Sequence, residues 1–148
     1  DAIQQLQDAT NEKLSTYFDA ELRVRFDVTD KDKFEVEIYK DGNLCSYTQL
    51  SKGQRQMLKL CFATSVMPAV ANQHGISFNV IMMDESLDGL SDDSKAKAIR
   101  LFESLSLNYS SVFVVEHSEK IKASFSSRLN VSLNANGESV IDDQSTDH

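Results

Sequence analysis

Asp84 and Glu85 stand side by side after a short apolar segment, residues 78–83. Adjacent carboxylates in that position suit a divalent cation and a water. One holds Mg2+ directly or through its water shell, and the other takes a proton from the attacking water. The same dipeptide also reads as the start of a solvated loop, and alone it does not choose. His117 closes a second apolar run, residues 112–115. In parallel α/β sheets, the carboxyl ends of strands are where ligands bind. Residues 51–54, Ser-Lys-Gly-Gln, open a long apolar helix pattern. A Ser hydroxyl, a Gly permitting close backbone approach and free helix N-terminal N–H groups make an anion seat. An ordinary N-cap beside a glycine has the same letters.

The elements that must position these residues follow from periodicity. Residues 1–20 read as a helix, with Ile3, Leu6, Leu14, Tyr17 and Phe18 roughly on one face. Its first ten residues are too polar for a core and read as the end of a longer exposed helix, such as a coiled coil. Leu22, Val24, Phe26 and Val28 alternate strictly, and Phe34, Val36 and Ile38 alternate again. Asp41-Gly42 is a turn signal, followed by Leu44, Cys45 and Tyr47. These predict a three-stranded antiparallel meander with one wet face.

A helix over residues 54–73, apolar on most sides and therefore buried, should be kinked or shortened by Pro68 and ended by His74-Gly75. Residues 78–83 and 112–115 predict parallel strands covered on both faces. Between them Ser91 caps a helix with Asp92 and Asp93 in its first turn and an inner stripe of Ala98, Ile99, Phe102 and Leu105. A short helix over 118–124, strand candidates 129–133 and 139–141, and a disordered acidic tail, 142–148, complete the chain.

The 148 residues carry a formal charge of -8, with 41% hydrophobic and 26% charged residues. That is one ordinary α/β unit, and its acidity is unsuited to gripping nucleic acid by bulk charge. Lys95, Lys97, Arg100, Lys120 and Lys122 form the local cationic clusters, which read as a solvated helix face. No apolar stretch is long enough for a membrane span. Cys45 and Cys61 are no disulfide scaffold and no metal spacing; they read as a strand residue and a core helix residue in a reducing compartment. Met57, Met67, Met82 and Met83 read as core packing. The chain opens on Asp1 rather than Met, as a fragment or processed piece would.

Leu50-Ser51-Lys52-Gly53-Gln54 resembles the ABC signature loop, usually written LSGGQ. The Asp84-Glu85 strand follows it, Ser86-Leu87-Asp88-Gly89-Leu90-Ser91 resembles the D-loop of the same ATPases, and His117 resembles their switch histidine. Four motifs in that order make the chain look like the C-terminal half of an ABC-type ATPase head. The helix and meander before the signature are similar to the SMC-like DNA-repair ATPases of the SbcC and phage recombination-endonuclease group. That gives residues 1–20 as the end of the coil, 21–141 as the ATPase lobe and 142–148 as tail. Two departures stand out. No P-loop pattern, G-x-x-x-x-G-K-[ST], occurs, and Lys52 stands where the signature usually has a glycine.

The resemblance implies ATP and Mg2+ as cofactors, with Asp84 on the metal, Glu85 as base and His117 on the terminal phosphate or the water. Ser51, Lys52, Gly53, Gln54 and Asp88 would bind nucleotide held by another head. It implies as partners a Walker A lobe of the same protein, a second copy of the head, a metallophosphoesterase-type nuclease subunit, and DNA through the full complex. It implies no membrane, and a cytoplasmic or nucleoid-associated location. Arg55 is an interface or DNA-facing cation, or a solvated helix residue. The nucleotide-binding half of a membrane transporter and a non-catalytic dimerisation module are the alternatives.

Overall fold

Leu22, Val24 and Phe26 turn inward from strand β1 (Leu22–Val28), as the alternation predicts. They face helix α1 (Ala2–Lys13), which a π-helical turn, Leu14–Phe18, extends. Strands β2 (Phe34–Lys40) and β3 (Asn43–Cys45) continue an antiparallel sheet in the order β1-β2-β3. Asp41 and Gly42 link them with φ of 52° and 77°, both left-handed, as a two-residue type I′ hairpin requires.

The polar character of α1 misleads. Leu6 and Thr10 are buried, so this helix is part of the packed structure. The Asn11 amide donates to Val24 O and accepts from Val24 N, both at 2.8 Å, while Gln7 Oε1 accepts from Phe26 N at 2.9 Å. Amide side chains thus close the edge of β1 that β2 does not pair.

Helix α2 runs over Lys52–His74, two residues earlier than its apolar periodicity begins, and continues through Pro68. A proline has no N–H for the carbonyl four residues back, which here is Thr64 O. Lys13 Nζ supplies a donor to that oxygen at 3.3 Å and also reaches Ser65 Oγ at 2.9 Å. Burial holds the Lys13 ammonium below its usual pKa. Cys61, fully buried beside it, has its thiol pushed up to about 12 by the same desolvation. Gly75, at φ 62°, ends α2 in the left-handed cap that a glycine favours.

Strand β4 (Val80–Asp84), helix α3 (Asp92–Leu105) and strand β5 (Ser111–Val115) form a β-α-β unit with β4 and β5 parallel. Ala98, Ile99, Phe102 and Leu105 are buried, as the stripe predicts, and Leu101 joins them. The expectation of cover on both faces is corrected. Ile81 and Met83 are buried, but Val80 is 50% and Met82 71% exposed, so this chain covers one face of β4 only. Met82 is therefore not a core methionine here.

The computed structural model describes residues 2–18, 21–31 and 33–143, and the chain divides into two units, Asp1–Val115 and Glu116–His148. The second unit holds the single-turn helix α4 (Glu119–Lys122) and the antiparallel pair β6 (Leu129–Leu133) and β7 (Ser139–Asp143). Strand β7 reaches Asp143, into the segment read as tail; residues 144–148 lie outside the described residues. Among the described residues, no helix is long and apolar enough to cross a membrane.

Candidate functional site

The start of α2 is built from its own side chains. Ser51 Oγ accepts from Gln54 N at 3.1 Å, and Gln54 Oε1 accepts from Ser51 N at 3.0 Å. This is a reciprocal capping box, so Ser51 and Gln54 fix the turn. Arg55 N donates to Ser51 O at 2.9 Å. The Lys52 and Gly53 N–H groups belong to the first helical turn, which has no intrahelical carbonyl to meet. The Ser51 hydroxyl keeps its own proton for an acceptor, since its oxygen is the accepting atom in the cap.

The second component is the loop over residues 85–91. Asp84 ends β4, and its register partner is Val115, as that of Met82 is Phe113. Side chains alternate along a strand, so Asp84 shares the open face of the sheet with Met82 and Val80. Glu85 follows with φ 50°, a left-handed conformation that costs a non-glycine residue energy and is found where a side chain must be aimed. Leu87 and Leu90 are buried and anchor the loop, leaving Glu85 and Asp88 exposed. Ser86 is also buried, and its hydroxyl has no hydrogen-bond partner among the described residues.

These two components interlock through residues 30 and 36 positions apart in sequence. Gln56 Nε2 donates to Ser86 O at 2.6 Å. Lys52 Nζ donates to Asp88 Oδ2 at 3.1 Å. Gly53 approaches so closely that a Cβ there would lie 3.4 Å from Gly89 O, and Gly89 itself has φ +76°. The Lys52 ammonium, by hydrogen bond and by charge, holds the Asp88 carboxyl below its usual pKa.

The structure therefore brings Ser51, Lys52, Gly53 and Gln54, at the start of α2, together with Asp88 on the loop that follows Asp84 and Glu85. His117 belongs to the second unit, two residues beyond β5, and its side chain is exposed. Its backbone N–H and that of Ser118 both donate to Glu116 Oε1, at 2.8 and 2.9 Å, so a carboxylate fixes the chain at that point. Sequence reading missed Gln56, whose only signal is its place one turn past the cap. It also missed Tyr47, over whose ring Arg55 lies 5.8 Å from the centroid. Arg55 is thus half-buried and stacked on an aromatic ring.

Among the described residues no group of three or more His, Cys, Asp or Glu could hold a metal ion. Two hard carboxylates alone fit Mg2+, which keeps several waters and shares its shell with substrate phosphates. They do not fit a closed structural site.

No family model matches the chain, and no curated protein matches it. Its fold has solved counterparts. A chain from work on ATP-driven dimerisation and DNA-stimulated activation of SMC ATPases matches with TM-score 0.78 at 14% identity, over 97% of this chain and 85% of that one. The Smc head of Pyrococcus furiosus, with an extended coiled coil and bound to the C-terminal domain of ScpA, matches with TM-score 0.71 at 15% identity, over 96% of this chain and 35% of that one. The SMC head domain from Thermotoga maritima gives 0.65 at 18%, over 95% and 47%. The chain thus spans most of the first and less than half of the other two. It has the α/β fold of the solved SMC-type ATPase heads.

Proposed function

We propose that this chain is the C-terminal half of an ATP-hydrolysing, SMC-like head that pairs with a second copy around Mg-ATP. The observation that carries this reading is the interlock of residues 51–56 with the loop 85–91, held by Lys52–Asp88, Gln56–Ser86 and the Gly53–Gly89 approach. The interlock supports it by holding the signature-like turn against the loop that follows Asp84 and Glu85, on the α/β fold in which SMC-type heads are solved.

The division of labour follows from the donor set. Asp84 would hold Mg2+, and the ion would supply charge neutralisation along the phosphates. Glu85, aimed by its left-handed backbone, orients the attacking water and takes its proton. Ser51 donates its hydroxyl proton, and Lys52 and Gly53 their N–H groups, to phosphate oxygens held by the opposing copy. His117 donates to the terminal phosphate or to the water. Phosphoryl transfer asks little covalent work of the protein, so positioning and charge dominate. The phosphate cradle belongs to a Walker A lobe, and the open β4–β5 face that carries Asp84 is where that lobe would pack.

The finer assignment is a DNA-repair or recombination head that regulates a metallophosphoesterase-type nuclease, reaching DNA through the full complex. The helix and meander ahead of the signature support it. A second reading keeps the engine and changes the partner to a ScpA-like subunit, which the Pyrococcus furiosus neighbour favours. In the protein carrying both lobes, Glu85→Gln should lower Mg-ATP turnover about 100-fold or more, the share a general base supplies. ATP-dependent pairing should survive that substitution. Unchanged turnover in a steady-state phosphate-release assay would remove Glu85 from its role.

A further inference from the structure

We propose that Lys52 is the anion-recognising side chain of the lid, and that Asp88 is its resting counter-ion, displaced by the terminal phosphate of nucleotide held on the opposing copy. This rests on the head reading above. Three observations meet at this pair. The ammonium lies 3.1 Å from Asp88 Oδ2, and the two side chains are 69% and 70% exposed, so an incoming group can reach both. The stem of Lys52 occupies the space that Gly89 leaves. A Cβ on Gly89 would fall 2.7 Å from Lys52 Cε and 2.8 Å from its Cδ and Cγ. Shape therefore sets the direction of the lysine. Finally, Gln56 Nε2 on Ser86 O at 2.6 Å keeps the root of the lysine and the loop of the aspartate in fixed relation.

A lysine ammonium is a point charge that donates to carboxylate or phosphate oxygen alike. Asp88 is thus a carboxylate in the place of the ligand. An exposed pair of this kind is weak, and a phosphate with more charge can replace it at small cost. Where the signature pattern usually has glycine, recognition is by backbone alone. In this chain it gains a charge, together with an internal competitor for that charge. Asp88 then opposes closure of the lid, and removing its charge strengthens it.

The test uses the protein with both lobes, in a Glu85→Gln background so that hydrolysis does not intervene. Sedimentation velocity gives the Mg-ATP concentration at which half the molecules have paired. Asp88→Asn should lower that concentration about two- to fivefold, and Lys52→Gly should raise it by a similar factor, the scale of an exposed ion pair. Lys52→Met, which keeps the stem and loses the charge, should behave as Lys52→Gly. In the Lys52→Gly background Asp88→Asn should have no further effect. Exchange is overturned if Asp88→Asn weakens pairing, acts equally without Lys52, or if Lys52→Met pairs like the parent. If the parent itself does not pair with ATP, the head reading fails instead.

Discussion

Lys52 and Asp88 are 36 positions apart, and no local pattern joins them. Each was visible in the sequence as part of a motif; their contact was not, because it depends on how the loop after β4 folds back on the start of α2. The same holds for Gln56 and Ser86. By contrast the N-cap at Ser51 was legible, since capping is a matter of local spacing, although Gln54 was read as part of the signature loop and not as its reciprocal partner. The Asp88 carboxyl is held below the ordinary 3.8 by its lysine. Because its folded-state pKa is depressed, the ion pair contributes fully above the ordinary carboxylate range and is lost as pH falls through the depressed value. NMR titration of Asp88 in Lys52→Met should show the pKa rising toward 3.8; an unmoved midpoint would contradict the pairing. The cysteines give a second residue-level check. Cys61 is fully buried with its thiol pushed up to about 12, whereas Cys45 is partly exposed. A thiol reagent at neutral pH should label Cys45 in the native protein and reach Cys61 only on unfolding. Prompt native labelling of Cys61 would contradict the packing of α1 on α2.

The alternation of β1 and the α3 stripe were readable because each repeats its own burial period, whereas β2 buries Ile38 and leaves Phe34 and Val36 exposed. Helix α2 shows what period cannot give. Pro68 in isolation predicts a break, yet the helix continues because Lys13, 51 positions from Thr64, donates to the carbonyl that the proline orphans. Lys13→Met should therefore destabilise the protein by about 1–3 kcal/mol, the usual penalty for an unsatisfied buried acceptor. Pro68→Ala restores the backbone donor, so the same Lys13→Met change should cost less in that background. Thermal or urea melts of the four variants read out this coupling, and equal costs in both backgrounds would remove Lys13 from the role. Helix α1 carries the complementary lesson. Its amides looked like a solvated surface, but Gln7 and Asn11 serve the edge of β1.

The molecule as described leaves apolar sheet surface open. In the first unit, Val80, Met82 and Phe113 share the uncovered face with Asp84. In the second, Leu129, Val131, Leu133 and Ile141 lie on one face of the β6–β7 pair, each more than half exposed. Apolar runs cannot say which chain covers them, which is why cover on both faces of β4 was expected from sequence and found on one only. If a Walker A lobe covers the first of these faces, co-purifying it with this chain should raise the melting temperature by about 5 °C or more. Equal melting with and without that lobe would contradict the assignment of the face.

The central claim is that the carboxylates of one head and the signature turn of the other serve the same nucleotide. Mixing two inactive proteins tests it directly. Glu85→Gln alone and Ser51→Arg alone should each hydrolyse ATP poorly, because every site in either homodimer carries a lesion. In a mixed dimer both lesions fall on one site and the other site is intact. An equimolar mixture should therefore recover about one quarter of wild-type turnover, half the dimers being mixed with one live site in two. No recovery on mixing, with both variants folded and pairing, would place the two components in separate sites and contradict the account.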